Sequence, residues 1–186
     1  MSRNNIKIAD IVICGLFVAL IAIGAFIKVP VPYIPFTLQT LFTTLAGLFL
    51  GGKKGFICVL VYMILGLIGL PIFASGGGPG YIFQPSFGYI IGFAFGSLLT
   101  GIIAHQKNNP SYVKLLIACL SGLAIVYLFG MTYYYLISNF YLGNGIGLWP
   151  LFLYCFLLVV PGDIVMCFFA AILGKRLIPV FSKRKV

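Results

Sequence analysis

Long apolar runs, separated by short charged or Gly- and Pro-containing segments, occupy most of the chain. Several runs reach about 20 residues, the length with which a helix crosses about 30 Å of hydrocarbon. The second run is shorter, so its helix either begins earlier, at Ile34, or does not cross the full bilayer. The pattern predicts an all-α integral membrane protein, a bundle of six transmembrane helices in a single domain over residues 1–186. The predicted helices span residues 11–27, 37–50, 56–73, 87–104, 115–137 and 149–173.

Composition indicates that much of the surface faces lipid. The chain is 62% hydrophobic and 8% charged, with a mean hydropathy of +1.16. A soluble domain needs a polar shell, which 12 basic and 2 acidic residues do not supply. The net charge of +10 would suit nucleic acid, but the basic residues flank apolar segments instead of forming one stripe. We therefore expect contact with a lipid bilayer and no nucleic acid.

The basic residues also predict an orientation. An even number of spans places both termini, the second-to-third connection and the fourth-to-fifth connection on one face, and this face holds 11 of the 12 basic residues. By the positive-inside rule it is cytoplasmic, as are both termini. Only Lys28 falls on the opposite face. The eleven residues are Arg3, Lys7, Lys53, Lys54, Lys107, Lys114, Lys175, Arg176, Lys183, Arg184 and Lys185.

The two acidic residues lie in different settings. Asp10 starts the first helix, where a carboxylate caps free N–H groups and meets the positive end of the helix dipole. Asp163 lies inside the last apolar run, where a charge costs about 2.5–3.5 kcal/mol. We expect it to face a polar cavity, although the same residue can instead tie two helices together. Pro161 removes the N–H that the carbonyl of Leu157 would accept, so the last helix should kink or break there.

A proline-rich segment precedes the second helix. Its three prolines, within residues 30–35, hold it extended and deliver Thr37, Gln39 and Thr40 to the start of that helix. An amide offers both donors and an acceptor, which suits a solute with an amide or urea group. Alternatively, Thr37 caps the helix and Gln39 bonds a neighbouring helix. Lys28 either pairs with the anionic end of a ligand or extends to the membrane interface.

A glycine-rich loop over residues 75–81 precedes the fourth helix. Such a loop lets backbone N–H groups approach a ligand, and Tyr81, Gln84 and Tyr89 are candidates to stack or hydrogen-bond beside it. The same segment can equally be a flexible connection, with its aromatic residues at the membrane interface.

The sequence offers few groups for catalysis. The five cysteines form no Cys-x-x-Cys pair, and the single histidine, His105, has no nearby metal partner. Residues 47–54 read Gly-x-x-x-x-Gly-Lys-Lys, which lacks the Ser or Thr of a phosphate-binding loop. We expect no enzymatic activity and no cofactor. A structural membrane protein is the alternative to one that binds a solute.

Small residues recur along the first helix at Gly15, Ala19 and Ala22. Small side chains let two helices approach closely. This stripe either packs inside the bundle or docks another subunit.

Four motifs occur in order along the chain. They are the proline-rich run at residues 31–41, Gly-Leu-Ile-Gly-Leu-Pro-Ile-Phe at 66–73, Pro-Ser-Phe-Gly-Tyr-Ile-Ile-Gly-Phe at 85–93 and Pro-Gly-Asp at 161–163. As a set they resemble the BioY family, the biotin-specific S components of energy-coupling factor transporters. The resemblance implies a multi-pass protein of the prokaryotic cytoplasmic membrane that captures biotin at the extracellular side for uptake.

The resemblance also implies partners and residue roles. The partners are a transmembrane coupling protein, on which the stripe at Gly15 would dock, and two ATPase subunits. Asp163 would accept the ureido N–H groups of biotin, and Gln39 would donate to the ureido carbonyl. Met166 stands where the family commonly has a basic residue, which leaves Lys28 as the cationic candidate. Another small vitamin or a precursor is the alternative ligand.

Overall fold

The computed structural model describes residues 8–107 and 109–182 and is mostly helical. The helices are α1 (Ile8–Phe26), α2 (Gln39–Leu50), α3 (Gly52–Ile68), α4 (Phe87–Ala104), α5 (Tyr112–Leu136), α6 (Leu148–Phe152) and α7 (Val160–Ser182). Two short strands, β1 (Lys28–Val29) and β2 (Phe36–Thr37), pair antiparallel between α1 and α2. A 3₁₀ helix covers Pro79–Phe83, and π-helical turns cover Ile137–Tyr141 and Leu153–Leu157. Five basic residues used for the predicted orientation lie outside the described residues: Arg3, Lys7, Lys183, Arg184 and Lys185.

Four helical segments are long and apolar enough to cross a membrane, at Ile8–Phe26, Phe87–Ala104, Tyr112–Tyr141 and Leu148–Ile178. They agree with the prediction of a helical membrane protein. The two remaining helices of the predicted six, α2 and α3, have 12 and 17 residues. At 1.5 Å per residue these are about 18 and about 26 Å long. The count of six spans therefore stays a prediction.

The predicted bounds of the third helix, 56–73, are wrong at both ends. A single residue, Gly51, separates α2 from α3; its φ of 83° is one that glycine adopts without strain. Lys53 and Lys54 consequently lie in the first turn of α3 rather than in a loop. At the other end, Gly69 has a φ of 123° and ends the helix before Pro71.

The predicted break of the last helix near Pro161 is confirmed. A π-helical turn follows α6, and the N–H of Leu158 bonds the carbonyl of Leu153 at 3.1 Å. The register of backbone hydrogen bonds therefore changes before the proline. Pro161 itself sits in the first turn of α7, where a missing N–H costs nothing. Asp163 lies in the same first turn, near the positive end of a new helix dipole.

Glycines bring several helices into backbone contact. A Cβ on Gly96 of α4 would lie 2.8 Å from the carbonyl oxygen of Gly122 on α5. A Cβ on Gly101 of α4 would overlap the backbone of Gly52 at the start of α3. Small residues at these positions let the helix backbones approach closely.

The stripe on α1 differs from those pairs. Gly15 and Ala19 are exposed and Ala22 is half-buried. A Cβ added to Gly15 would meet no atom within 4 Å. Packing inside the bundle is therefore the wrong interpretation for Gly15 and Ala19, which face outward from the described part of the chain.

We name the two ends of the bundle for their connections. The hairpin end carries β1 and β2 together with residues 69–86 and 137–159. The turn end carries the turn at Gly51 and the loop between α4 and α5.

Polar contacts join neighbouring helices at the turn end. Lys54 Nζ lies 2.7 Å from Asp10 Oδ2, which links α3 to α1. His105 Nε2 lies 2.8 Å from the carbonyl oxygen of Leu48, where an N–H donor satisfies one of the last carbonyls of α2. Asp10 occupies the first turn of α1, as the sequence predicts, and has a cationic partner that the sequence did not reveal.

Candidate solute-binding site

A cavity of about 560 Å³, open mouth included, lies at the hairpin end. Its walls combine a few buried polar groups with aromatic and aliphatic side chains, as in sites that hold a small solute. The lining residues are Ile34, Pro35, Phe36, Thr37, Gln39, Thr40, Ala74, Tyr81, Ser86, Tyr89, Ile90, Phe93, Val126, Tyr127, Cys155, Val159 and Asp163. Six of the eight predicted binding residues are in this set: Thr37, Gln39, Thr40, Tyr81, Tyr89 and Asp163.

Asp163 is the acidic residue of the cavity wall and is 4% exposed. Tyr127 on α5 donates its hydroxyl to Asp163 Oδ2, a bond that ties α5 to α7. Asp163 Oδ1 is buried and has no hydrogen-bond partner among the described residues, although Thr40 lies near the carboxylate. A buried acceptor without a donor destabilises the protein. The helix-linking interpretation thus accounts for one carboxylate oxygen and leaves the other available to a solute.

Gln39 is held by a short hydrogen-bond chain. Its Nε2 donates to Tyr62 Oη at 2.7 Å, and Tyr62 Oη donates to the carbonyl of Ile72 at 2.8 Å. On the other side, Thr37 Oγ1 lies 3.4 Å from Gln39 Oε1. The amide therefore both lines the cavity and bonds α3, so the predicted alternatives for Gln39 occur together.

Thr37 does not cap α2. The helix begins at Gln39, and the residue before it, Leu38, makes no side-chain cap. Thr37 instead belongs to β2, where it pairs with Lys28 and turns its buried side chain to the cavity wall.

Tyr89 and Tyr81 place aromatic rings in the wall. Tyr89 Oη donates to the carbonyl of Cys155 at 3.1 Å, so this hydroxyl bridges α4 to the π-helical turn after α6. Tyr81 Oη lies 3.4 Å from Ser86 Oγ, and its ring packs on Phe73 with centroids 4.5 Å apart. Their rings provide flat apolar surface beside the buried polar groups.

The hairpin covers one side of the cavity. Lys28 Nζ donates to the carbonyl of Ala74 at 2.8 Å, which ties the hairpin to the loop after α3. The Phe36 ring lies against Gly162, where an added Cβ would come within 2.7 Å of it. The Phe36 ring therefore covers the backbone next to Asp163.

Three expectations need correction. Gln84 is exposed and Lys28 extends along the surface to Ala74, so neither side chain lines the cavity. The glycine-rich loop does not turn its N–H groups to a ligand at Gly76 and Gly78, because these bond the carbonyls of Phe73 and Gly66. The N–H groups of Gly76 and Gly78 are thus used within the protein.

Sequence reasoning missed Tyr127 and Tyr62. Tyr127 is 36 positions from Asp163, and Tyr62 is 23 positions from Gln39. Both lie in apolar helices of a chain with 11 tyrosines, where residue type alone does not distinguish them. Within the described residues, no three His, Cys, Asp or Glu side chains lie close enough to share a metal ion.

A bundle of apolar helices around a cavity with a buried carboxylate and amide defines a membrane protein that binds a small solute. Comparison with known proteins gives the family. The chain belongs to the BioY family, whose model matches residues 1–183.

Two curated relatives and one solved structure illustrate the likeness. The probable biotin transporter BioY of Lysinibacillus sphaericus is 41% identical over 176 residues, covering 95% of this chain and 90% of the relative. The biotin transporter BioY of Thermotoga maritima is 39% identical over 128 residues, covering 68% and 72%. A crystal structure of the S-component for biotin from an ECF-type ABC transporter matches with a TM-score of 0.75 and 28% identity, covering 95% and 94%. These proteins are transporters, in agreement with the expectation that the chain is not an enzyme.

Proposed function

We propose that this protein is the substrate-binding component of an energy-coupling factor transporter and that its solute is biotin. The observation that carries the proposal is Asp163 Oδ1, which is buried beside the cavity and has no hydrogen-bond partner among the described residues, in a member of the BioY family. Biotin has a cyclic urea with two N–H donors, a group that such an oxygen binds by a charge-assisted hydrogen bond.

The rest of the cavity suits the remainder of the molecule. Phe93, Val126 and Val159 provide apolar surface for the sulfur-containing ring. The valeryl carboxylate would extend toward the mouth, because no Lys or Arg is among the lining residues. Lys28, whose Nζ bonds the carbonyl of the lining residue Ala74, is a candidate cation on that side.

One observation favours a second candidate solute. Met166, at the position where a basic residue is common in the family, is buried and does not line the cavity. A cavity without a cation also suits an uncharged vitamin or precursor that carries an N–H donor for Asp163. Competition of such compounds against biotin would rank the two candidates.

We propose six membrane spans, with both termini cytoplasmic and the hairpin end extracellular. The support is the distribution of basic residues, 11 of 12 of which flank the turn end or the termini. Reporter fusions at Val186 and within residues 138–148 should report the inside and the outside respectively. A C-terminus on the outside would contradict this orientation.

Uptake would need partners, a transmembrane coupling protein and two ATPase subunits. The exposed Gly15 and Ala19 offer a flat helix surface on which another helix can pack closely. We propose this surface as the docking site for the coupling protein.

Calorimetry with purified protein tests biotin capture. Wild-type protein should bind biotin, and Asp163→Asn should lose about 1.5–3 kcal/mol of binding free energy, as for a hydrogen bond to a charged group. Tyr112→Phe, at the start of α5 and outside the cavity, serves as the control. Wild-type protein without measurable affinity for biotin would reject the proposed solute.

A further inference from the structure

Tyr62 determines which way round the Gln39 amide sits. A tyrosine hydroxyl carries one proton, and the carbonyl of Ile72, 2.8 Å away, can only accept it. Tyr62 Oη must therefore act as the acceptor toward Gln39, 2.7 Å away. The group of Gln39 that faces Tyr62 has to be the NH₂ and not the carbonyl, because a reversed amide would set two acceptors against each other.

The side of the amide that faces the cavity follows from this order. Tyr62 is completely buried and does not line the cavity, whereas Thr37, the neighbour of Gln39 Oε1, does. The amide nitrogen thus points away from the cavity toward α3. The carbonyl oxygen lies on the cavity side, where its one contact with the Thr37 hydroxyl is long, at 3.4 Å.

We propose that Tyr62 is a positioning residue that fixes Gln39 as a hydrogen-bond acceptor, so that the cavity presents two acceptors, Gln39 Oε1 and Asp163 Oδ1. The inference rests on the proposed capture of biotin and deepens it. Each acceptor takes one ureido N–H. This replaces the sequence-based expectation that Gln39 donates to the ureido carbonyl.

The arrangement makes the site selective for a solute with two N–H donors on one ring. An analogue with an oxygen in place of either N–H would bring a lone pair against a buried acceptor. A contact between two acceptors with no proton between them is strongly disfavoured. The matching probes are the two cyclic carbamates of biotin, in each of which oxygen replaces one of the two ureido N–H groups.

The test compares the affinities of biotin and both carbamates within each protein. Wild-type protein should bind each carbamate about 10- to 100-fold more weakly than biotin. In Tyr62→Phe the amide is free to turn, and its nitrogen can donate to a ring oxygen. We expect the discrimination against the carbamate whose ring oxygen faces Gln39 to fall about tenfold or more. Discrimination against the other, which faces Asp163, should stay as in wild type.

The ratio of the affinities for biotin and a carbamate, measured on one protein, does not depend on the fraction of that protein that is folded. Tyr112→Phe controls for loss of a hydroxyl elsewhere and should keep both ratios. If Tyr62→Phe binds too weakly to measure, Gln39→Met removes the acceptor itself and should relax the same single ratio. Wild-type ratios in Tyr62→Phe, or in Gln39→Met where Tyr62→Phe cannot be measured, would overturn the role of Tyr62, as would equal relaxation of the ratios for the two carbamates. Absence of biotin binding by wild type would instead reject the proposed function.

Discussion

The hairpin end and the turn end of this bundle are built by different means. At the turn end, helices meet backbone to backbone through glycines, as at Gly101 and Gly52, and polar contacts such as Lys54 with Asp10 join the helix ends. At the hairpin end, the chain forms strands, a 3₁₀ helix and π-helical turns around the cavity. The buried carboxylate of Asp163 and its hydrogen-bond donor Tyr127 both line that cavity.

The difference shows how a membrane helix bundle can accommodate a polar solute. Irregular backbone is tolerated at membrane depth only where protein covers it or where it lines a cavity. Close helix packing at one end holds the helices in a fixed relation. The other end is then free to use broken helices and loops to place single polar groups, such as Asp163 at the start of α7.

The largest effect is expected from a substitution that separates the helices at the turn end. In Gly101→Leu the new side chain overlaps the backbone of Gly52, which cannot move without separating α4 from α3. We expect no folded, monodisperse protein in size-exclusion chromatography and no biotin binding. Gly80→Leu adds the same side chain at a glycine with nothing within 4 Å of its Cβ, so it controls for the added bulk and should fold normally. Equal tolerance of both changes would contradict the importance of the close contact between Gly101 and Gly52.

A second change distinguishes biotin binding at the hairpin end from contact with a partner protein along α1. Gly15→Leu combined with Ala19→Leu adds bulk to an exposed surface that no helix in the described part of the chain covers. Biotin affinity of the isolated protein should be unchanged. Capture of the coupling protein and uptake of biotin by cells should both be lost.

Ala124→Leu, at an exposed alanine of α5, is the control for that experiment and should leave uptake intact. If the double variant loses biotin affinity together with partner capture, the docking role of the stripe is rejected.

The smallest expected effect concerns how the hairpin is held. Lys28→Met removes the donor to the carbonyl of Ala74 and keeps most of the apolar stem. A single exposed hydrogen bond contributes about 0.5–1.5 kcal/mol, so biotin should dissociate roughly two- to tenfold faster. A chase with unlabelled biotin measures the rate, with Lys53→Met at the turn end as the control. An unchanged rate would mean that the hairpin stays in place without this bond.

The helices and part of the site could be predicted because their signals are local. Apolar runs marked the long helices, an acid within one of them marked Asp163, and consecutive prolines marked the segment that holds Thr37 and Gln39. These signals arise from the cost of placing a charge in lipid and from the fixed φ of proline.

Other parts could not be predicted because they depend on pairs of residues far apart in the chain. Nothing near Tyr127 shows that its hydroxyl meets Asp163, and nothing near Tyr62 shows that it orients Gln39. Lys53 and Lys54 suggested a loop between α2 and α3. The actual connection is the single residue Gly51, which is too short to be recognised as a turn in the sequence. Gln84 was selected by residue type, and its exposure depends on how the 3₁₀ helix before it is placed.

The contact between Phe36 and Gly162 links the hairpin to the charge it covers. The Phe36 ring rests on the backbone next to Asp163, so any displacement of the hairpin that lifts the ring also admits water to the start of α7. Water weakens the attraction between a carboxylate and an N–H donor, because it raises the local dielectric response and competes for the same oxygen. The strength with which Asp163 attracts a solute is therefore set by the position of an aromatic ring on another segment.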